Sequence, residues 1–392
     1  PGAALSIANG FGWAWVVLGD SRGAQRLHAA LDAVGDAAPA HRRGAALLLT
    51  AWLEASAGDL EPARGHIDRA LALADEIGDI ELLARGTSYL SYVVAHGGDF
   101  GLGLELATRS RLLYTGMDRP WDLAANALFA MRAAISAGDE GQASAETSLA
   151  ATAVGMVDDP WLHVRFEGLL GEFARLQRRY ADAVAHLRRS SSRARQLGFL
   201  QTEAYQVATL GRAQCQLGEY EEGATTLRTA IVKAEAVGDV RMAALARVHL
   251  GRILRALGDD GGARAALELA AQWHRTSGGG EQAVLGDAML AAMDARDGVA
   301  GASDRLVTLL DEARAAQNDA AAVFALDALA RDAARDGDAS TARRLAAEAT
   351  AAMTRASHFI AEVDRVDALP EAGQRSRPPA MQDPPAPSSP TE

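Results

Sequence analysis

Apolar residues along this chain recur at three- and four-residue steps. In the stretch 219–237, Tyr220, Ala224, Leu227, Ala230, Ile231 and Ala234 fall on one face of an α-helix. No stretch alternates with a period of two over strand length, so the pattern predicts helices and no sheet. These helical segments are cut at a steady interval. Gly58-Asp59, Gly78-Asp79, Gly98-Asp99, Gly138-Asp139, Gly198, Gly218-Glu219, Gly238-Asp239, Gly258-Asp259, Gly278, Gly298 and Gly337-Asp338 recur about every 20 residues. Asp118-Arg119-Pro120, Asp158-Asp159-Pro160 and Asn318-Asp319 fill the missing beats. A glycine adopts the left-handed conformation that closes one helix, and the acid after it caps the next. Proline at 120 and 160 suits a first helical turn, where its missing N–H costs nothing. Each beat therefore predicts a helix–turn–helix junction, and each interval a helix of roughly 15 residues.

Alternate beats differ, which doubles the unit to about 40 residues, one antiparallel helix pair. The turns inside the pairs read Gly58-Asp59-Leu60, Gly98-Asp99-Phe100, Arg178-Arg179-Tyr180 and Gly218-Glu219-Tyr220. Around them stand Leu210-Gly211, Gly223, Leu227 and Ala230; Leu250-Gly251, Gly258, Ala263, Leu267 and Ala270; and Leu170-Gly171, Ala183 and Leu187. In these residues the chain resembles the tetratricopeptide repeat: Leu-Gly in the first helix, Gly-x-Tyr at the turn, small residues in the second. The departure is the length, about 40 residues against roughly 34 in the standard repeat. The resemblance implies an all-α, right-handed superhelical solenoid of about nine antiparallel pairs over residues 1–368. The internal turns are expected near Gly19, Gly58, Gly98, Gly138, Arg178, Gly218, Gly258, Gly298 and Gly337. The last pairs, dominated by Ala, Arg and Asp, are expected to pack more thinly. Residues 369–392 turn to Pro, Ser, Gln and Arg without hydrophobic periodicity and are expected to be disordered.

Composition narrows the function. A formal charge of −12 argues against direct nucleic-acid binding, which needs a phosphate-neutralising surface. A single cysteine, Cys215, leaves no internal disulfide and fits a reducing, cytoplasmic setting. No run of about 18 apolar residues is present to span a membrane. The chain opens at Pro1, without methionine and almost directly in helical pattern, as expected of a piece of a longer protein.

Catalytic motifs are not in evidence. Lys233, the sole lysine, sits mid-helix without a glycine-rich turn, which excludes a phosphate-binding P-loop around it. Gly101-Leu102-Gly103 lacks the third glycine and the preceding strand of a dinucleotide fold. The nine histidines form no His-Glu-x-x-His motif and no Cys-His cluster, so no metal or cofactor is expected. His66, His163 and His249 read as isolated helix-face residues. Cys215 lies on a helix near Arg212, where a thiolate is favoured, but the plainer reading is a small buried residue. The chain is expected to be a binding module and not an enzyme.

In tetratricopeptide arrays the first helix of each pair lines a concave groove. That pattern implies a groove here formed by Arg85, Tyr92, Arg132, Arg165, Glu172, Arg175, Tyr205, Arg212, Arg252 and Arg255. Guanidinium forks suit carboxylates and phosphates, so the expected partner is a protein, an acidic peptide or a small anionic effector. The alternative is that these arginines are solvated or paired with neighbouring Asp and Glu. Pro120-Trp121 and Pro160-Trp161, 40 residues apart, read as stacked core between pairs or else as a ligand platform. The run Arg188-Arg189-Ser190-Ser191-Ser192-Arg193-Ala194-Arg195 reads as a solvated outer face or a docking surface for another domain.

The texture of the repeats, as in Ala63-Arg64-Gly65-His66-Ile67-Asp68-Arg69-Ala70-Leu71 and Ala263-Arg264-Ala265-Ala266-Leu267-Glu268-Leu269-Ala270, resembles the C-terminal sensor arrays of bacterial SARP-type and STAND NTPase transcriptional regulators. That resemblance implies a sensor module, with NTPase and DNA-binding domains elsewhere in the full-length chain. The alternative is a free-standing scaffold that assembles other proteins.

Overall fold

The computed structural model describes residues 2–18, 20, 22–276 and 281–356, which contain α-helices and no strand. The helices pair in chain order: α1 (Gly2–Leu18) with α2 (Arg22–Val34), and α3 (Ala40–Ala57) with α4 (Leu60–Ile77). Next come α5 (Ile80–His96) and α6 (Phe100–Leu113), then α7 (Pro120–Ala137) and α8 (Glu140–Gly155). The fifth and sixth pairs are α9 (Pro160–Leu176) with α10 (Tyr180–Leu197) and α11 (Leu200–Leu217) with α12 (Tyr220–Ala236). Then follow α13 (Val240–Ala256) with α14 (Asp260–Thr276) and α15 (Glu281–Arg296) with α16 (Ala302–Ala315). The ninth pair is α17 (Asp319–Arg335) with α18 (Ala339–Arg355). The result is an all-α helical-repeat solenoid. The turn at Gly19, the beat at Gly278 and the 369–392 tail lie outside the described residues.

The junctions follow the chemistry of their residues. Gly58, Gly78, Gly98, Gly138, Gly198, Gly218, Gly238, Gly258, Gly298 and Gly337 all have positive φ. At the ends of α9 and α16, which lack glycine at that position, Arg178 (φ 58°) and Gln317 (φ 53°) take the left-handed conformation instead, while α8 closes at Met156 with an ordinary right-handed φ of −86°. On the other side of the turns, Asp79, Asp99, Asp139, Asp159, Asp239, Asn318 and Asp338 accept a backbone N–H three residues on, at 2.8–3.0 Å. Each such cap stabilises its helix by about 1 kcal/mol. Pro120 and Pro160 open α7 and α9.

Within a pair, small residues set the approach. A Cβ on Gly171, Gly211 or Gly251 would stand 2.6–2.7 Å from Cγ of Leu187, Leu227 or Leu267, each on the second helix. Those leucines are fully buried. Between pairs, successive first helices pack more closely than successive second helices do, so the first helices line the inner side of the curve. In the last pairs the buried set is mostly alanine, as on α18 with Ala342, Leu345, Ala349 and Ala352.

The curve is tight enough to bring its start across to its middle. Trp13 on α1 stands edge-on to Trp121 of α7 and Trp161 of α9, with ring centroids 4.9 and 5.0 Å apart. The Gln201 side-chain amide of α11 donates to the Ser56 carbonyl of α3 at 3.2 Å, and Gly58 packs on the Arg241 side chain of α13. None of the described helices is long and apolar enough to cross a membrane.

Candidate functional site

The 40-residue period stacks equivalent positions of the first helices into a column: Trp52, Tyr92, Arg132, Glu172, Arg212 and Arg252. Its upper part is aromatic. Trp52 stacks on Tyr92 with centroids 4.7 Å apart and planes at 16°. Arg132 then lies over the rings of Tyr92 and Tyr205, at 5.9 and 4.9 Å, and Arg165 lies over Trp161 at 5.3 Å. Trp121 and Trp161 stack on each other at 6.1 Å, closed off by Trp13, and so serve as inter-pair core. Between Trp52, Tyr92, His96, Arg132, Arg165, Tyr205, Asp239 and Arg241 only about 20 Å³ remains, room for a water but not for a peptide.

Farther along, the face becomes polar and positive. Tyr205 donates its hydroxyl to Glu172 at 2.8 Å. Glu172 is the carboxylate that most offsets Arg175 and Arg212. Burial, and then the like charge of Arg175 and Arg252, pulls the Arg212 guanidinium down to about 9. Arg212 makes no ion pair with the described residues, and the same holds for Arg132 and Arg165. Burial likewise lowers Arg175 and Arg165. Arg252 donates to His249 Nδ1 at 3.3 Å, which puts the ring proton on Nε2. That Nε2 is buried with no hydrogen-bond partner among the described residues. Burial, together with Arg212, Arg252 and Arg175, holds His249 far below the usual imidazole range. His96 is depressed in the same way, by burial and then by Arg132 and Arg241, and its Nδ1 is bonded to the Tyr92 carbonyl at 2.7 Å.

Eight of the ten groove residues read from the sequence therefore meet: Tyr92, Arg132, Arg165, Glu172, Arg175, Tyr205, Arg212 and Arg252. Arg85 does not. It bonds Asp122 at 3.0 Å and Glu81 at 3.1 Å, and belongs to an ion network between the third and fourth pairs that includes Arg119. Arg255 lies apart as well, with its guanidinium over the Phe324 ring of the ninth pair at 5.0 Å. His249 was readable only as a helix-face residue, although its place three residues before Arg252 puts both on one face. Arg241 and Asp239 reach the site only because the superhelix closes, which no local pattern announces.

Among the described residues, Arg132, Arg165, Arg175, Arg212, Arg241 and Arg252 gather here with the carboxylates Glu172 and Asp239. The excess is cationic inside a chain of net charge −12. On the outer face, half of the basic run on α10 is neutralised: Arg188 bonds Glu222 at 2.8 Å and Arg189 bonds Glu167 at 2.7 Å, whereas Arg193 bonds the neutral Gln196. Two open hollows of about 380 and 370 Å³ flank it. Cys215 is buried against Gly223.

No protein-family model matches the chain, and no curated protein matches it. Solved structures do. A Rap protein complexed with competence and sporulation factor superposes with a TM-score of 0.66 at 13% identity, covering 92% of this chain and 100% of that one. Aspartyl phosphate phosphatase F from Bacillus subtilis gives 0.55 at 10% identity, over 94% of this chain and 97% of that one. The apo form of RapI gives 0.52 at 9%, over 90% and 98%. What these proteins share with this chain is the fold, a tetratricopeptide-like array of the same extent.

Proposed function

We propose that this chain is a binding module whose inner face, from Glu172 to Arg252, captures an anionic ligand such as an acidic peptide or a small anionic effector. The observation that carries the reading is the gathering of Arg175, Arg212 and Arg252 around Glu172, with the buried His249 Nε2–H beside them. Arg212 and Arg175 are desolvated and repelled by like charge there, so an incoming carboxylate or phosphate relieves that repulsion. The plugged upper ladder supports a ligand that enters from the side of the sixth and seventh pairs, not one threaded through the whole superhelix. One protein of this fold was solved with a bound factor, which supports a binding role for such an array.

The repeat texture supports a further step: a sensor that passes ligand occupancy to NTPase and DNA-binding domains of a longer chain, in the cytoplasm. Closure between the start and the middle of the superhelix gives such a sensor a shape to change.

The test is fluorescence anisotropy with labelled hexaglutamate and hexalysine peptides, and competition by inorganic phosphate. Hexaglutamate should bind and hexalysine should not, and added salt should weaken the complex. The variant R175Q/R212M should bind at least tenfold more weakly, about 1.4 kcal/mol, while R212M alone should melt higher than wild type without ligand. Equal affinity of wild type and R175Q/R212M for hexaglutamate would reject the site.

A further inference from the structure

Outside the inner face, three chemistry-bearing side chains from three different helices meet where the first pair abuts the second. His28 comes from α2, Glu54 from α3 and His66 from α4. His28 Nε2 stands 3.3 Å from Glu54 Oε1 and 3.1 Å from His66 Nε2. His66 Nδ1 stands 2.9 Å from Glu54 Oε2 and 2.8 Å from the Pro62 carbonyl. Glu54 is buried, at 8% exposure, and the His66 side chain nearly so, whereas 40% of the His28 side chain faces solvent.

Proton bookkeeping sharpens the arrangement. The His66 Nδ1–H is committed, because both of its neighbours, the Pro62 carbonyl and Glu54 Oε2, are acceptors. The neutral ring therefore turns a bare Nε2 lone pair toward His28 Nε2, 3.1 Å away. That lone pair can accept the N–H of a neutral His28 or bind a metal ion, with the His28 Nε2 lone pair freed as the second donor. Ligand bonds of about 2.0–2.1 Å at tetrahedral angles place neighbouring donors roughly 3.3 Å apart. The two measured edges at His28 Nε2, 3.1 and 3.3 Å, have that length, and all the donor atoms lie within 4.8 Å of one another. The backbone carbonyl behind His66 is the partner that orients a metal-binding imidazole.

We propose that His28, Glu54 and His66 form a zinc-class transition-metal site that bolts the first helix pair to the second. Two imidazoles and one carboxylate are a borderline donor set suited to Zn²⁺ and, in its place, Co²⁺ or Ni²⁺. The fourth position opens on the solvent side, where His28 is exposed, and takes a water or an external ligand. Because the donors come from α2, α3 and α4, the ion ties the first helix pair to the second. This site is separate from the anion-binding face and does not depend on it.

The experiment uses the tag-free full chain, stripped of metal and titrated with Zn²⁺ by calorimetry, with Co²⁺ absorption as a second readout. The expected result is one equivalent of Zn²⁺ per chain, a raised melting temperature, and the intense visible bands of four-coordinate Co²⁺. H28A and H66A should each weaken Zn²⁺ binding at least tenfold, and E54Q should weaken it too, with helical circular dichroism unchanged in H28A because that side chain is exposed. No stoichiometric uptake, or uptake of equal strength in H28A/H66A, would show that a hydrogen bond alone joins these rings and would overturn the proposal.

Discussion

Arg212 and His249 show how a residue's neighbours set its behaviour. Each sits among guanidinium groups contributed largely by other helices, with only Arg252 beside His249 in its own segment of sequence. What could be read was the column: a 40-residue period carries Arg132, Glu172, Arg212 and Arg252 onto one another, so their convergence follows from repetition. Arg85 shares the register of Arg165 and Tyr205, yet Asp122 of the next pair claims it. A pH dependence follows at this scale. Burial and the three arginines keep folded His249 neutral, while in the unfolded chain it takes up a proton below its ordinary value of about 6.5. The unfolded state then binds more protons, so stability falls as pH drops below about 6.5 and toward the depressed folded value. His96 contributes with the same sign. Urea melts at pH 7.5 and 5.5 should show wild type losing about 1 kcal/mol more than His249→Gln. Equal losses would contradict the burial of a neutral ring.

At the scale of the helix, glycine has two meanings that the sequence alone separates only in part. The twenty-residue beat identified the left-handed caps, because a turn that needs positive φ selects glycine at a fixed interval. Arg178 and Gln317 adopt the same conformation without glycine, so the turn at Arg178 and the one before Asn318 keep the geometry of the glycine beats. Glycines inside helices divide by contact. A Cβ at Gly223 would stand 2.3 Å from Cys215 Sγ and 3.0 Å from the Gly211 carbonyl, whereas Gly65 on α4 has nothing within 4 Å. Gly223→Ala should cost roughly 1–3 kcal/mol by forcing the α11–α12 pair apart. Gly65→Ala should stabilise by about 0.5–1 kcal/mol through helix propensity. Thermal melts of the two variants check this, and a stabilising Gly223→Ala would refute the close approach of those helices.

Across the whole molecule, the stack of helix pairs was readable from periodicity, because each pair can bury its apolar face only against its neighbours. The degree of curvature was not, since it depends on small rotations between pairs that leave no local mark. Closure places Trp13 against Trp121 and Trp161 and brings Arg241 beside the ladder, which plugs a groove expected to run open through the third to seventh pairs. The described apolar interior also divides at this level, one cluster running from Leu5 to Leu176 with Phe199 packed against it, another from Ala204 to Ala356, and a small one between them of Ala174, Ala183, Val184, Leu187, Leu210 and Ala213. The binding face proposed here lies along that division, on α9, α11 and α13. Hydrogen exchange of the full chain, measured with and without saturating hexaglutamate, tests the account most directly. Slowed exchange concentrated on α9, α11 and α13, and absent in R175Q/R212M, is the predicted result. Protection confined to the outer helices α10 and α12, or none at all, would contradict it.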